Sequence, residues 1–266
     1  MDGYGPASYG DAMADVYDEW FASTSRAVSG GARDVGAVGA VVQRLSELAA
    51  GGPALELGVG SGRLAVPLAA RGTDVWGIDA SDAMVARLRA KPGGERVRVT
   101  VGDMAELMLV PAAGGTVPRF SVVFAAYNTL FNLTTRDEQV RCLRRVATLL
   151  DPHGALVVEA FVPRELGEPG GRVTVRTIEV DRVVLSASRH DPIEQTVVGQ
   201  YVEIDQRGTR LRPWCVRYAT PGQLDEMAAE AGFGLRQRHG GWQGERFDDT
   251  SPAHVSVYGL AASGGR

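Results

Sequence analysis

Residues 54–69 read ALELGVGSGRLAVPLA, and the rest of the chain is organised around this stretch. Its apolar beginning predicts a strand, Gly58, Gly60 and Gly62 predict a turn, and residues 64–70 predict a buried helix. Glycine suits a turn that brings bare backbone against a ligand, because it has no β-carbon and tolerates positive φ angles. The stretch therefore predicts the opening of a βαβ unit with a ligand at the turn.

Two acidic residues accompany the glycine turn. Glu56 lies in the strand two residues before Gly58, and Asp79 ends a second apolar run, DVWGID. An acid at the end of the second strand of such a unit can bind the hydroxyl pair of a ribose. The spacing G-x-G-x-G is one residue shorter than the G-x-G-x-x-G of dinucleotide-binding proteins, whose helix carries a pyrophosphate. The pattern favours a nucleoside without a diphosphate over NAD, and over a turn that binds nothing.

The runs ELGVGSG and GIDAS resemble motifs I and II of the class I S-adenosylmethionine (SAM)-dependent methyltransferases. The segments LLDPHGALVVEAF and YATPGQLDEMAAEAGF resemble later parts of the same family, so the resemblance extends from about residue 54 to 260. It implies a Rossmann-like fold, SAM as the cofactor and S-adenosylhomocysteine as the product. It also implies that Asp103, after the third strand, bonds to the adenine amino group. The residues it places at the cofactor are Glu56, Gly58, Gly60, Gly62, Asp79, Ala80, Met84, Gly102, Asp103, Met104 and Ala125.

Composition sets limits on the partners of this chain. Its 266 residues are 44% hydrophobic and 23% charged, with a net charge of −4 and no basic block, so nucleic acid is not an expected partner. The two cysteines lie far apart and outside any metal-binding spacing, which indicates a reduced, cytoplasmic protein without a metal site. No run predicts a membrane helix or a signal peptide. The composition fits a small-molecule enzyme, and it leaves open a monomer or a homodimer.

The order of predicted elements indicates an α/β fold, a doubly wound, seven-stranded, mostly parallel sheet with helices on both faces. The predicted strands of this sheet are 54–58, 73–78, 97–101, 120–126, 155–161, 234–239 and 254–260, the last one antiparallel. The predicted helices are 37–49, 63–71, 83–90, 135–150 and 222–231, with Ser81 and Thr220 as N-caps and residues 151–154 as a turn.

An antiparallel β insertion is predicted after strand five. Its alternating runs are 172–180, 182–190 and 196–205, with a fourth strand possible at 211–218. The predicted domains are an N-terminal helical lid (1–50), a SAM-binding domain (51–165 and 219–262) and the insertion (166–218). Tyr201, Trp214, Arg217 and Tyr218 give the insertion aromatic and cationic character, suited to covering a substrate pocket or simply to packing within the sheet.

The N-terminus is expected to begin with eight disordered or adaptable residues, followed by one helix at 9–21 and a mobile connection at 23–34. Met13, Val16, Tyr17 and Trp20 fall on one face of the predicted helix. This face can pack against the domain, and it can also serve as a lid. In resembling enzymes an N-terminal Tyr-Asp pair, here Tyr17 and Asp18, covers the methionine end of the cofactor.

The acceptor is expected at the carboxyl end of the fourth strand, where ligands of open α/β sheets bind. The sequence there is AAYNTLF, which differs from the Asn/Asp-Pro-Pro-Tyr run of DNA-adenine and protein-glutamine methyltransferases. A small, partly aromatic acceptor is therefore favoured. The predicted substrate-binding residues are Trp20, Tyr127, Asn128, Phe131, Phe161, Arg217 and Tyr218.

Methyl transfer from SAM is an in-line displacement, so alignment is the main task of the protein. An amine acceptor needs no base at the attack itself, whereas a phenol or alcohol benefits from one. The candidate bases are His190, His239, Tyr17 and Glu159, with His190 preferred. His190, Tyr17 and Tyr127 are the predicted catalytic residues. Methylation at O, N or an activated carbon stays open, as do a non-catalytic SAM-binding scaffold and an NAD-dependent oxidoreductase.

Overall fold

The computed structural model of the protein describes residues 1–22, 35–111, 115–164 and 169–261. The helices are α1 (Ser8–Met13), α2 (Tyr17–Ala22), α3 (Val35–Ala49), α4 (Ala65–Ala70), α5 (Asp82–Ala90), α6 (Arg136–Leu149) and α7 (Pro221–Glu230). The strands are β1 (Ala54–Leu57), β2 (Val75–Asp79), β3 (Arg98–Val101), β4 (Phe120–Ala125), β5 (Leu150–Phe161), β6 (Gly170–Ile178), β7 (Arg182–Asp191), β8 (Thr196–Asp205), β9 (Gly208–Arg217), β10 (Phe233–His239) and β11 (Ala253–Leu260). The predicted connection at 23–34 lies outside the described residues.

The main sheet has seven strands in the order β10-β11-β5-β4-β1-β2-β3. The five strands from β5 to β3 pair in parallel, and β11 lies antiparallel between β10 and β5. Because parallel strands end at the same edge, the segments that follow β1, β2, β3 and β4 converge there. The predicted fold class, a doubly wound and mostly parallel sheet, is confirmed.

Helices cover both faces of this sheet, as two separate hydrophobic clusters show. One cluster joins the sheet to α6 and α7, and the other joins it to α3 and α4. The predicted lid domain of residues 1–50 includes α3, but Val41, Val42 and Leu45 of α3 are buried against the sheet. Of the described residues in the predicted lid domain, those up to α2 lie at the carboxyl edge of the sheet, and α3 does not.

Capping confirms the two predicted N-caps, Ser81 and Thr220, and makes Thr135, predicted as the first helical residue, the N-cap of α6. The Ser81 hydroxyl accepts from the Met84 N–H at the start of α5, and Thr135 and Thr220 form complete capping boxes at the starts of α6 and α7. The predicted turn at 151–154 lies instead inside β5, as an irregularity in the pairing with β4. Phe120 pairs with Leu150 and Val122 with Ala155, so residues 151–154 are left between the two pairs.

The single helix predicted for residues 9–21 is wrong, because the chain breaks into α1 and α2. In a continuous helix the Ala12 carbonyl would accept from the Val16 N–H. It accepts instead from the Arg212 guanidinium, and the Val16 N–H bonds to Met13 O at 3.0 Å. Residues 1–8, expected to be disordered or adaptable, contact the insertion sheet, since the Tyr4 hydroxyl accepts from the Cys215 N–H at 3.2 Å.

The insertion forms its own antiparallel sheet in the order β6-β7-β8-β9, which confirms the predicted runs and includes the fourth. This insertion sheet packs against the N-terminal segment through Trp20 and Tyr201, whose rings meet edge to face with centroids 5.7 Å apart. No helix among the described residues is long and apolar enough to span a membrane.

The burial of His254, on β11, predicts that the stability of the folded protein depends on pH. Burial and, to a smaller extent, the positive charge of Arg238 together lower its pKa from 6.5 to about 4, and its Nδ1 lies 2.8 Å from the Ser256 hydroxyl. The unfolded chain therefore binds one more proton than the folded chain between these two pKa values. The free energy of unfolding should fall by roughly 3 kcal/mol as the pH drops from 6.5 to 4.

Urea denaturation at several pH values measures this effect. The variant His254→Gln should lose most of the slope between pH 6.5 and 4.5, while His153→Gln, at an exposed histidine, should keep it. Equal slopes in the wild type and His254→Gln would show that another group controls acid sensitivity.

Candidate functional site

A cavity of about 360 Å³ lies at the carboxyl edge of the main sheet. Its walls come from the segments after β1, β2, β3 and β4, from the N-terminal segment, and from β8 and β9 of the insertion sheet. We call the part lined by the segments after β1, β2 and β3 the cofactor half. The part lined by the N-terminal aromatic residues, the segment after β4 and the insertion sheet is the acceptor half.

The glycine turn after β1 is held by Asp79. One oxygen of the Asp79 carboxylate accepts from the Gly60 N–H at 2.7 Å, and the other accepts from the Ser81 N–H at 2.9 Å. Burial raises the pKa of Asp79, and these two amide donors oppose the rise. A carboxylate offers about four acceptor positions, so capacity is left for a further pair of hydroxyl donors.

Gly58 and Gly60 leave room for a ligand at this turn. Both have positive φ, +62° and +54°, and a β-carbon on Gly58 would lie 2.4 Å from a methyl of Thr129. Gly62 also has positive φ, +79°, but it does not line the cavity, and its missing side chain makes room for Leu88 and Val66. The first two glycines shape the cavity, and the third allows α4 to pack.

Glu56 is a buried acid in the wall of the cavity. It is 6% exposed, and its Oε2 has no hydrogen-bond partner in the described part of the chain. Desolvation raises the pKa of Glu56 well above its usual value, and the positive charge of Arg63 opposes this only in part. A buried carboxyl oxygen without a partner suits a cationic ligand group, which would supply the missing hydrogen-bond donor.

The other residues predicted at the cofactor fall into two groups. Asp103 orders its own loop by accepting from the Ala105 N–H at 2.8 Å, and it lines the cavity. Ala125 is buried next to the lining residue Ala126 and does not itself line the cavity. The predicted residues that do line it are Glu56, Gly58, Gly60, Asp79, Ala80, Met84, Gly102, Asp103 and Met104.

The segment after β4 turns sharply at Tyr127 and Asn128. Both have left-handed φ angles, +54° and +65°, which cost energy in residues other than glycine. The Tyr127 N–H donates to the Glu159 carboxylate at 2.7 Å, and the Asn128 side-chain oxygen accepts from the Phe161 N–H at 2.7 Å. These bonds to β5 hold the turn, which presents Tyr127 and Asn128 to the cavity.

The structure separates the predicted acceptor and catalytic residues into two sets. Tyr17, Tyr127, Asn128 and Phe161 line the cavity, whereas Trp20, Phe131, His190, Arg217 and Tyr218 do not. His190 Nε2 instead lies 2.8 Å from the Tyr218 hydroxyl, and Arg217 bonds to the side chains of Gln139 and Gln195. Phe131 packs behind Phe161, with ring centroids 5.3 Å apart.

The N-terminal segment is bonded to the cofactor half. Asp18 accepts from the Ser61 hydroxyl at 2.6 Å and from Lys91 at 2.8 Å, and Asp11 accepts from the Ser81 hydroxyl at 2.6 Å. The first of these contacts reaches the glycine turn itself. The segment therefore covers the cofactor half, as a lid would.

Arg63 was missed by the analysis of the sequence. Its guanidinium lies 3.6 Å from the Tyr127 ring centroid and donates to the Phe21 carbonyl at 3.2 Å, so it connects the glycine turn, the segment after β4 and the N-terminal segment. Its position directly after the last glycine was the available signal. Nothing in the local sequence predicted that the other lining residues would lie together in one cavity. They include Tyr4, Tyr9, Phe21, Ser61, Asn132, Tyr201 and Trp214.

Known proteins resemble this chain in both sequence and structure. A family model described as a methyltransferase domain matches residues 54–154. The cypemycin N-terminal methyltransferase of a Streptomyces species is 27% identical over 197 residues, covering 73% of this chain and 77% of that protein. The structure of the CcbJ methyltransferase from Streptomyces caelestis is 40% identical, with a TM-score of 0.85, covering 97% of this chain and all of that one.

A third similarity concerns the fold alone. The sugar N-methyltransferase KedS8 from a Streptoalloteichus species is 19% identical, with a TM-score of 0.62 and coverage of 97% and 98%. The agreement with CcbJ extends over nearly the whole length of both chains, and it includes the insertion sheet. With the glycine turn, the acid after β2 and the family model in agreement, the chain belongs to the class I SAM-dependent methyltransferases of the small-molecule, natural-product type.

Proposed function

We propose that this methyltransferase transfers the methyl group of SAM to an amine nitrogen of a small, natural-product-type acceptor. The observation that carries the proposal is the chemistry of the acceptor half. Its described lining is aromatic and amide in character, with Tyr9, Tyr127, Asn128, Phe161 and Trp214, and contains no histidine or carboxylate. Of the candidate bases, Tyr17 alone lines the cavity, and a neutral tyrosine hydroxyl is a poor proton acceptor. An amine attacks through its own lone pair, so it fits this site better than a phenol or alcohol does.

The cofactor half fits SAM by its donor set. The buried Oε2 of Glu56 lacks a partner, and the α-ammonium of SAM would provide one. Arg63 would hold the carboxylate of the same amino-acid group, and the free acceptor positions of Asp79 would hold the ribose hydroxyls. Asp103 would accept from the adenine amino group. SAM supplies, when bound, a methyl carbon made electrophilic by the adjacent sulfonium.

The residues of the chain contribute alignment and exclusion of water. The turn at Tyr127 and Asn128 is fixed by two hydrogen bonds to β5, so it presents a rigid surface beside the acceptor. Tyr17 and Phe21 of the N-terminal segment form one wall of the cavity, and their ring centroids lie 4.8 Å apart. Holding the reactants in an attack geometry can contribute several kcal/mol, up to about 7–11 in ideal cases.

A relative supports the choice of nitrogen. The cypemycin N-terminal methyltransferase is named for methylation at a peptide N-terminus, which is an amine. His190, the base preferred from the sequence, bonds to Tyr218 and does not line the cavity. The proposed reaction does not need it, because an amine acceptor requires no base at the attack itself. We also propose that the acceptor is free in solution rather than part of a nucleic acid, in agreement with the net charge of −4.

The test uses tyramine, which offers an amine and a phenol on one aromatic molecule, together with a tyrosyl dipeptide amide. Each is incubated with SAM, and the methylated atom is located by tandem mass spectrometry. We expect N-methyl products with an equal amount of S-adenosylhomocysteine, and a rate that rises with pH as more of the amine is neutral. O-methylation alone, or no transfer to either probe by protein that binds S-adenosylhomocysteine, would contradict the proposal.

A further inference from the structure

Arg176 occupies a bulge in the edge strand of the insertion sheet. Val175 pairs with Leu185 and Thr177 pairs with Val184, so Arg176 is an extra residue without a partner on β7. A bulge of this kind redirects the side chain and often lies next to a functional site. Val175 and Thr177 pair with consecutive residues of β7, so they lie on opposite faces of the sheet, and Arg176 is the extra residue at which the alternation shifts.

The redirected guanidinium lies among aromatic rings of the lid and the insertion sheet. Its carbon is 4.8 Å from the Trp20 ring centroid and 5.1 Å from the centroids of Phe21 and Tyr201. Phe21 and Tyr201 both line the cavity. Arg176 also acts on Tyr9, a third lining residue, since its charge opposes the rise that burial causes in the pKa of the Tyr9 hydroxyl. The guanidinium does not itself line the cavity, but it contacts two residues that do, Phe21 and Tyr201.

Arg176 has no acidic partner among the described residues, as is also true of Arg172, Arg189 and Arg217 on the same sheet. Arg182, Arg207, Arg210 and Arg212 on the same sheet each form an ion pair with an aspartate or glutamate. Arg176 donates only a long hydrogen bond to the Trp20 carbonyl, at 3.4 Å. Contacts with ring faces leave the N–H groups at the edge of the guanidinium without acceptors, and these groups match a planar carboxylate.

The charges of the cavity indicate what Arg176 recognises. Glu56, Asp79 and Asp103 lie in the cofactor half, and the positive charge of Arg63 there is assigned to the carboxylate of SAM. An anionic acceptor group is therefore expected to be attracted toward Arg176 rather than into the cofactor half. We propose that Arg176 binds a carboxylate of the acceptor, at the end of the molecule remote from the nitrogen, and thereby selects acceptors that carry an acid. This inference rests on the proposed amine methylation, to which it adds the second recognised group.

The test compares two probes that differ only in this group, 4-(aminomethyl)benzoate and 4-(aminomethyl)benzamide. Their binding to the protein loaded with S-adenosylhomocysteine is measured by calorimetry or by NMR titration. Charge-assisted hydrogen bonds predict that the wild type prefers the carboxylate by about tenfold or more. This preference should largely disappear in Arg176→Gln and should be intermediate in Arg176→Lys, which keeps the charge but loses the planar fork.

Arg189→Gln is the matched control, because Arg189 is exposed and lies on the opposite face of the same sheet from Ser186 and Tyr201. It should keep the wild-type preference. Circular dichroism shows that each variant is folded. A preference that is absent in the wild type, or that survives in Arg176→Gln, would overturn the proposal.

The comparison requires no turnover, so it is separate from the test of the proposed function. Methylation of the benzamide probe by the wild type reports on the amine proposal alone. Loss of carboxylate selectivity together with retained amine methylation would reject only the role of Arg176. Carboxylate selectivity without amine methylation would reject only the proposed function.

Discussion

Replacing Asp79 with alanine should weaken the binding of S-adenosylhomocysteine by about 100-fold or more. The side chain is proposed to accept two ribose hydroxyls, and hydrogen bonds to a charged group contribute roughly 1.5–3 kcal/mol each. The same carboxylate also accepts from Gly60 and Ser81, so its loss frees the glycine turn as well. Methyl transfer should fall to background at SAM concentrations that saturate the wild type, as measured by calorimetry and by product formation.

Asp74, directly before the same strand, supplies a matched control. It lies next to the amino end of β2, away from the cavity, where its exposed carboxylate pairs with Arg98. Asp74→Ala should bind the cofactor within about twofold of the wild type, since exposed ion pairs contribute little. Asp79→Asn keeps the size of the side chain, and its affinity for the cofactor should fall between those of the two alanine variants. Cofactor binding that is equal in Asp79→Ala and Asp74→Ala would remove Asp79 from the proposed site.

Replacing Arg212 with methionine should lower the free energy of unfolding by about 3–5 kcal/mol. Arg212 and Glu203 are 3% and 4% exposed, and they pair at 2.7 Å, so the substitution leaves a buried carboxylate without its main partner. Arg212 also bonds to the Asp15 carboxylate and the Ala12 carbonyl, which ties the lid to the insertion sheet. For a chain of this size, the expected fall in Tm is roughly 10 °C.

Two further variants separate charge burial from a general loss of packing. Arg210, on the same strand as Arg212, is half-exposed and pairs with Asp15. Arg210→Met should lower the free energy of unfolding by less than about 1 kcal/mol. The double variant Arg212→Met/Glu203→Met removes both buried charges and should be more stable than Arg212→Met alone. A double variant that is less stable than the single one would show that the pair itself stabilises the fold.

The sequence alone determined the main sheet and the cofactor half. Strand, turn and cap signals are local, because each depends on a few neighbouring residues. Parallel strands then bring the ends of β1, β2 and β3 to one edge, so Glu56, Asp79 and Asp103 meet wherever the fold forms. This is why most of the predicted cofactor residues line the cavity, although their contacts with SAM stay a prediction.

Only the tertiary structure decided the acceptor half. His190 and Tyr201 are both polar aromatic residues of the insertion, but Tyr201 pairs with Ser186, about 13 Å along β7 from His190. This register places Tyr201 in the cavity wall and His190 beside Tyr218. The sequence could not show the break between α1 and α2 either, because the Ala12 carbonyl at the break accepts from Arg212, 200 residues away in the chain. Short-range patterns specify elements, whereas contacts between distant segments depend on how the finished elements pack.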